Sequence, residues 1–152
     1  MMDEIVDVVD ENDRFVRKAT RKEMRQKALL HRSAKVIVIN NEGKLLVQKR
    51  SMRKDINPGN WELGVGGTVL SGESYVSAAI RELMEEVGIT GVSNIELIHS
   101  FLFRQKYRSK SNNANYKVYK YEYNGKLKLE QEEVEEAMFL SLEEVKNMMQ
   151  NE

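Results

Sequence analysis

A group of acidic residues in the middle of the chain is the feature best suited to chemistry. Glu82, Glu85 and Glu86 stand at positions i, i+3 and i+4, so on a helix their side chains project from one strip of surface. Like charges at this spacing repel one another by about 0.2–0.5 kcal/mol per pair. Carboxylate oxygens are the ligands that Mg²⁺ takes in proteins, commonly together with the phosphates of a substrate. The spacing therefore predicts a divalent-metal site and phosphate chemistry.

The flanking residues predict the helix that carries this group. Ser74 can cap its start through the hydroxyl, and Gly88 can take the left-handed conformation that ends it. Apolar residues between them repeat at the spacing of a buried stripe: Val76, Ala79, Ile80, Leu83 and Val87. We therefore expect the carboxylates to lie off the buried face, where a metal could reach them.

Residues before the helix are expected to complete the site. Glu73 precedes the first turn and Arg81 lies two turns further on, so an ion pair between them could brace the preceding loop against the helix. Gly66 and Gly67 come before that loop, and a glycine lets a main-chain carbonyl approach a metal closely. An isolated Glu-x-x-Glu-Glu run would more often be a solvated helix face, but the whole constellation favours the metal site.

From Gly67 to Ile89 the chain reads GTVLSGESYVSAAIRELMEEVGI, and this run resembles the complete Nudix box. The resemblance implies the Nudix fold, an α/β (α+β) arrangement with a mixed β-sheet sandwiched between helices. It also implies a hydrolase that cleaves a diphosphate linkage in a nucleoside diphosphate derivative or similar small molecule. Mg²⁺ or Mn²⁺ would be held by Glu82, Glu85 and Glu86, with the Gly66 carbonyl as a further ligand.

The general base and the residues that meet the substrate are expected elsewhere in the chain. The base is Glu82 of the box or a member of a later acidic run, of which we prefer Glu133: Glu130, Glu132, Glu133, Glu135 and Glu136. Four basic residues around the predicted strand end before Pro58 are expected to bind the substrate: Lys49, Arg50, Arg53 and Lys54.

A narrower resemblance, from Asp7 to Glu73, is to the Nudix branch of isopentenyl diphosphate isomerases and their hydrolase relatives. The isomerases use a cysteine, a glutamate and metal-binding histidines, whereas this chain contains no cysteine. It reads Gly66-Gly67-Thr68 where that branch has Cys-Gly-His. His31 matches a ligand histidine of the isomerases but stands alone, and a lone histidine is more often structural. Hydrolysis is therefore favoured, with an isomerase-like enzyme as the alternative.

Two further alternatives are non-catalytic. A nucleotide sensor with this fold would be expected to lose its metal carboxylates first, and here they are all present. Basic and aromatic residues between Phe103 and Tyr123 could bind single-stranded RNA, but tyrosines at every second position also suit a half-exposed strand. With 24 basic and 24 acidic residues the net charge is zero, so no overall field favours nucleic acid.

Composition predicts one domain over residues 1–152, with residues 1–30 packed on it as a hairpin and a short helix. The chain is 41% hydrophobic and 32% charged, and it lacks an apolar run of the roughly 18 residues that a membrane span needs. We expect a cytoplasmic location, a small-molecule diphosphate as partner, and a homodimer as an option through Met148-Met149 or the N-terminal hairpin.

Local patterns predict the remaining elements. Strands are expected in EIVDVV and RFVRKA, then a helix from Thr20, with Glu23 completing a capping box, through Leu30. A second hairpin follows in KVIVI and KLLVQKR. Later strands are expected in IELIHSFLF and YKVYKYEY around a polar loop from Arg108 to Asn115, then over Ala137–Leu140, before a last helix capped by Ser141.

Overall fold

The computed structural model of the protein describes residues 3–54, 56–107 and 110–150, and for residues 105–107 and 110–111 it describes the backbone alone. Within these residues the chain forms the following elements: β1 (Ile5–Val9), β2 (Phe15–Thr20), α1 (Arg21–Gln26), β3 (His31–Ile39), β4 (Leu45–Arg50), β5 (Trp61–Leu63), β6 (Val65–Thr68), α2 (Tyr75–Val87), β7 (Glu96–Tyr107), β8 (Lys110–Glu122), β9 (Val134–Leu140) and α3 (Leu142–Gln150).

The N-terminal elements form a hairpin and a short helix, as predicted. β1 and β2 pair antiparallel, and the Thr20 hydroxyl accepts the N–H of Glu23 (3.0 Å) to cap α1. The helix ends at Gln26 and not at Leu30, because Ala28 has a φ of +52° and leaves the helical region. β1 also bridges to Leu70 through Val6.

The main sheet is mixed and is organised around β3. Along one edge β3 pairs parallel with β8, and β8 pairs antiparallel with β7. Along the other edge β3 pairs antiparallel with β6, while β4 joins it only at Ile39 and Leu45. The predicted β3–β4 hairpin is therefore closed only at its turn, because β6 takes the neighbouring place and β4 pairs instead with β5 and β9.

Two later boundaries differ from the prediction. β8 begins at Lys110, inside the predicted polar loop, whose Arg108 lies outside the described residues. The strand continues through polar residues because their main-chain groups pair with β7, as Asn113 does with Arg104. β9 begins at Val134, three residues before the predicted Ala137, since its first residues pair with β4.

Helix α2 covers β3 and β6 and closes the main hydrophobic core. Its ends are those predicted: Ser74 caps the first turn, and Gly88 ends the helix at a φ of +72°. Its buried face agrees with the prediction at Ala79, Leu83 and Val87 but differs at Val76, which is 41% exposed, and at Glu86, which is 2% exposed. The core beneath it comprises these buried residues: Ala34, Val36, Val38, Leu46, Val65, Val69, Ala78, Ala79, Leu83, Val87, Ile89 and Tyr119.

Helix α3 contacts β4 and β9. It begins after a capping box in which Ser141 accepts the N–H of Glu144 and the Glu144 carboxylate accepts the N–H of Ser141, as predicted. No helix in the described part of the chain is long and apolar enough to cross a membrane.

The tight turn between β5 and β6 yields a stability prediction. Gly64 has a φ of +72°, and a Cβ there would lie 2.1 Å from the Val36 carbonyl oxygen. Gly64→Ala should therefore lower the free energy of unfolding by about 2–5 kcal/mol through left-handed strain and overpacking. Gly43→Ala is the control, since Gly43 has a φ of +73° but open space around it, and should cost only about 1–2 kcal/mol. Equal losses in urea denaturation would contradict the packing argument.

Candidate active site

The Arg81 guanidinium joins the start of α2 to the loop before it. Its Nε and Nη2 donate to the two carboxylate oxygens of Glu73 at 2.8 and 2.9 Å. Its Nη1 donates to Glu82 (2.8 Å) and Glu85 (3.1 Å), and Nη2 also donates to the Thr68 carbonyl (3.1 Å). The expected Glu73–Arg81 ion pair is thus present, as part of a wider network.

These contacts fix the charge states of both partners. The hydrogen bonds to Glu73 raise the pKa of Arg81. Burial acts to raise the pKa of Glu73, but the hydrogen bonds from Arg81 and the Leu70 N–H hold it below its usual value. Glu73 is therefore a carboxylate that anchors the loop.

Glu82 and Glu86 are buried carboxylates beside each other. The Glu86 carboxylate accepts the Gly66 N–H at 2.9 Å, and the Glu82 side chain is only 12% exposed. Burial raises the pKa of Glu82 to about 7. Burial and then the neighbouring Glu82 carboxylate raise the pKa of Glu86 well above its usual value. The expectation that the carboxylates lie off the buried face is therefore wrong for Glu86, and burial favours the protonated forms of both groups.

The burial of these carboxylates depends on two glycines of β6. A Cβ on Gly67 would lie 2.5 Å from Glu82 Oε1, and a Cβ on Gly66 would lie 2.3 Å from the Ala34 carbonyl oxygen. Glycine lets α2 and β3 approach β6 this closely. The strand therefore presents main-chain groups, and not side chains, to the carboxylates of α2.

A cavity of about 350 Å³ opens beside Gly66 and Gly67. Glu82 and Glu85 line it from α2, and Arg50, Lys54 and Glu133 line it from the segments near β4 and β9. Its volume lies near the lower end of the range for small-molecule pockets, about 300–1,000 Å³. The cavity suits one compact ligand.

The four basic residues predicted to bind substrate divide into two pairs. Arg50 and Lys54 are on the cavity wall. Successive side chains of a strand point to opposite faces, and Arg50 takes the cavity side. Its neighbour Lys49 therefore points to the other face, where its Nζ lies 3.9 Å from Glu135 Oε2. Arg53 is 73% exposed and lies 3.3 Å from Glu132. Lys49 and Arg53 are not among the described residues that line the cavity, and their contact with substrate stays a prediction.

Among the later glutamates, the structure places Glu133 in the cavity lining. It forms an ion pair with Lys54 Nζ, and its charge contributes to the raised pKa of Glu82. Glu132 and Glu135 pair with Arg53 and Lys49 outside the lining, and the Glu130 N–H donates to the Glu86 carbonyl. Glu136 lies on β9 opposite Lys49.

The side-chain oxygens of the acidic residues are ligands that suit a hard divalent cation, but their orientations in this structure do not form a metal site. No group of three or more histidine, aspartate or glutamate side chains in the described ranges is arranged to hold a metal ion, because Glu82 and Glu85 point to Arg81 and Glu86 to the Gly66 N–H. All the donors are oxygens, which Mg²⁺ prefers. A cation beside Glu82 and Glu86 would also favour the ionised forms of these two groups, whose pKa values burial raises.

His31 is a buried structural residue and lies outside this group. Its Nδ1 lies 3.0 Å from the Leu29 carbonyl oxygen. Burial lowers its pKa to about 4, so the imidazole is neutral near pH 7. This agrees with the structural role expected for a lone histidine.

Residues of the N-terminal elements also line the cavity, which the sequence interpretation missed. They are Glu4, Arg21 and Arg25, and Asn112, Phe103 and Tyr116 line it from β7 and β8. The available signal was the spacing of Arg21 and Arg25, which puts them on one face of α1. Their proximity to β8 depends on tertiary contacts that the sequence does not display.

Comparison with known proteins agrees with this geometry. The sequence matches the family model of the NUDIX domain over residues 29–152. An uncharacterized Nudix hydrolase of Pseudomonas aeruginosa is 35% identical over 149 residues, covering 95% of this chain and 85% of the relative. Another from Yersinia pestis is 44% identical over 89 residues, covering 59% of this chain and 49% of the relative. This chain thus spans about half the length of the Yersinia protein.

Solved structures give the same fold. A crystal structure of a Deinococcus radiodurans protein superposes with a TM-score of 0.81 at 23% identity, covering 97% of this chain and 90% of that one. This likeness shows the mixed α+β fold and its N-terminal hairpin, and it carries no information on substrate.

The buried carboxylates predict how stability depends on pH when metal is removed. The folded state holds the Glu82 proton up to about pH 7, and the reference value is 4.5. The contribution of this proton to the free energy of unfolding is fully present below pH 4.5. As the pH rises to about 7, the free energy of unfolding falls by at most about 3 kcal/mol. Glu82→Gln should flatten that fall in urea denaturation with EDTA. Glu85→Gln, at a half-exposed site of the same helix, should change the profile less; parallel profiles for wild type and Glu82→Gln would contradict the prediction.

Proposed function

The chain belongs to the Nudix family, and from this premise we propose that it is a divalent-metal-dependent pyrophosphohydrolase. It cleaves a diphosphate linkage in a nucleoside diphosphate derivative or a similar small molecule. The observation that carries the proposal is the buried Glu82–Glu86 pair beside the glycines of β6. Two carboxyl groups kept out of water beside a cavity ionise only at a cost unless a cation joins them.

We assign the metal to oxygen ligands at the cavity end of α2. Glu82, Glu85 and Glu86 would hold Mg²⁺ or Mn²⁺, with the Gly66 carbonyl as a further ligand. In an extended strand the N–H and C=O of one residue face the same side, and the Gly66 N–H faces Glu86, which supports its carbonyl as a ligand. When bound, the metal would neutralise charge that develops on the phosphate and would favour ionisation of water.

Glu73 and Arg81 act as positioning residues in this proposal. Arg81 reaches Glu82 and Glu85 while Glu73 holds its other edge in a bidentate contact. This arrangement keeps the two carboxylates oriented before metal binds and limits their mutual repulsion. Arg50 and Lys54 would meet the phosphates of the substrate, since they stand on the wall of the same cavity.

We propose Glu133 as the general base, with Glu82 as the alternative. Glu133 shares the cavity with Glu82 and Glu85, and its ion pair with Lys54 holds its carboxylate group at the cavity wall. Glu82 is instead committed to Arg81 and, in this proposal, to the metal. The other four candidates of the acidic run have no comparable place beside the cavity.

The other functions receive less support from the site. An isomerase-like enzyme would need an acid where Gly66 stands, and the buried histidine His31 pairs with a main-chain carbonyl. A sensor without turnover would not need all three box carboxylates.

A panel of nucleoside diphosphates, nucleotide sugars, dinucleoside polyphosphates and prenyl diphosphates, each with Mg²⁺, tests the hydrolase proposal directly.

Removal of a box carboxylate tests the metal assignment. Glu86→Gln and Glu85→Gln should each lower kcat by about 100-fold or more, because each removes a ligand that supports transition-state charge. Circular dichroism should show little loss of folding. Glu135→Gln is the control, since its partner Lys49 lies outside the cavity lining. Full activity of Glu86→Gln, or wild-type turnover in excess EDTA, would refute the metal role.

A second pair of variants tests the general base. Glu133→Gln should lower kcat while the affinity for Mg²⁺ stays nearly unchanged, because only a transition-state interaction is removed. Glu132→Gln is the matched control, at an exposed position paired with Arg53, and should behave as wild type. Metal affinity is measured by isothermal titration alongside steady-state kinetics. An unchanged kcat in Glu133→Gln would move the role to Glu82.

A further inference from the structure

Three neighbouring strands carry a row of residues along the floor of the cavity. Thr68 of β6 is opposite Ser33 of β3, and Ser33 is opposite Tyr116 of β8. Residues directly opposite one another in a sheet point to the same face, and all three of these line the cavity. Ser33 and Thr68 have small side chains, whereas Tyr116 has a large one. The row is therefore low over β6 and β3 and ends against the Tyr116 ring.

One face of the Tyr116 ring is covered by an aromatic neighbour. Phe101, its partner on β7, stacks on it with the ring centroids 5.3 Å apart and the ring planes 9° apart. Because Phe101 lies on the β7 side, the opposite face of the Tyr116 ring is turned towards β3 and the space over Ser33. Phe103 meets the Tyr116 ring edge to face, with centroids 5.7 Å apart, and also lines the cavity. Two aromatic rings therefore border this space.

The same row relates the Tyr116 ring to the carboxylates of α2. Thr68 and Tyr116 lie two strand spacings apart, which is about 10 Å. Gly67 precedes Thr68 on β6, and a Cβ on Gly67 would lie 2.5 Å from Glu82 Oε1, so the proposed metal and diphosphate belong to the β6 end of the row. A group joined to that diphosphate through a ribose can span β3 and reach the ring.

The residues around the ring favour a nucleobase over a prenyl chain. A base stacks on aromatic rings through its faces, and every base has such a face. The edge of a base carries donors and acceptors, which suit the hydroxyl groups of Ser33 and Thr68, since a hydroxyl group can both donate and accept. A prenyl chain over the same residues would exclude water from these hydroxyl groups and offer no hydrogen bond in return.

We propose that Tyr116 is a specificity-determining residue whose ring stacks on the base of the substrate, over Ser33 and beside Phe103. The substrates are then nucleoside diphosphates or their derivatives, with a purine or a pyrimidine base, and prenyl diphosphates are disfavoured. This inference rests on the proposed hydrolase function and names the substrate class of the same site.

The first experiment measures recognition of the base without turnover. AMP, CMP and ribose 5-phosphate are titrated calorimetrically into the protein with Mg²⁺. All three carry the same phosphate ester, and none contains a diphosphate linkage. The wild type should bind AMP and CMP at least about fivefold more tightly than ribose 5-phosphate, which has no base to stack. If ribose 5-phosphate binds as tightly as both nucleotides, the proposal is overturned.

Variants of the ring separate stacking on the base from packing within the sheet. Tyr116→Leu keeps an apolar side chain but removes the ring, so it should lose the preference for AMP and CMP while ribose 5-phosphate binds as before. Tyr116→Phe keeps the ring and should keep the preference. Phe15→Leu is the control, since Phe15 is 56% exposed on β2 and is not among the described residues that line the cavity.

A purely structural role for Tyr116 makes a different prediction. If the ring only packs against Phe101 and Phe103, Tyr116→Leu melts at a lower temperature but keeps the wild-type preference for nucleotides, which overturns the proposal. If Tyr116→Leu fails to fold, the wild-type comparison of AMP and CMP with ribose 5-phosphate still decides the outcome, because it needs no variant.

The second experiment compares diphosphates as substrates. With Mg²⁺, kcat/KM is measured for ADP, CDP and dimethylallyl diphosphate. The wild type should prefer the two nucleotides about tenfold or more, and Tyr116→Leu should lower kcat/KM for them mainly through a higher KM, because the ring holds the base equally in the ground state and the transition state. Faster hydrolysis of dimethylallyl diphosphate than of either nucleotide overturns the base assignment and leaves the hydrolase proposal in place. Hydrolysis of no diphosphate at all overturns the proposed function, whereas the AMP and CMP titrations still report on Tyr116.

Discussion

The Arg81 guanidinium is the contact on which the arrangement of the site depends. It binds both oxygens of Glu73, one oxygen each of Glu82 and Glu85, and the Thr68 carbonyl. A single side chain therefore joins the end of β6, the loop after it and two turns of α2. An arginine can do this because its five N–H donors lie in one plane, whereas a lysine would offer a point charge. Without it, the two carboxylates would repel one another with no fixed orientation.

The glycines of β6 impose the opposing constraint. Because Gly66 and Gly67 have no side chains, α2 approaches the strand until Glu82 and Glu86 are almost excluded from water. Burial disfavours ionisation of a carboxyl group, so the fold raises the pKa values of Glu82 and Glu86 at the place where the proposed cation would bind. Stability is lost at the same atoms that the proposed chemistry uses, as is common at functional sites.

Much of the local structure could be predicted because it depends on neighbours in sequence. The caps of α2, the N-terminal hairpin and the capping box at Ser141 follow from side chains that bond to nearby main-chain groups. The burial of Glu86 could not be predicted from helical periodicity, which assumes that the opposite surface carries ordinary side chains. The separation of β3 and β4 was equally hidden, since it results from the insertion of β6 beside β3. The cavity positions of Arg50 and Lys54 followed from proximity to the box, but those of Arg21 and Arg25 required the tertiary fold.

Those two arginines lie outside the region that matches the family. The match to the NUDIX domain begins at residue 29, whereas Arg21 and Arg25 belong to the preceding helix α1. The carboxylates of α2 are fixed by Arg81 and the glycines of β6, so that end of the cavity tolerates little change. Among the contacts that hold helix α1 are a cap at Thr20, the buried Met24, the Arg25–Asn112 hydrogen bond and the neighbouring hairpin. The cavity wall therefore combines residues inside the matched NUDIX region, on α2 and β6, with residues of the N-terminal elements that precede it.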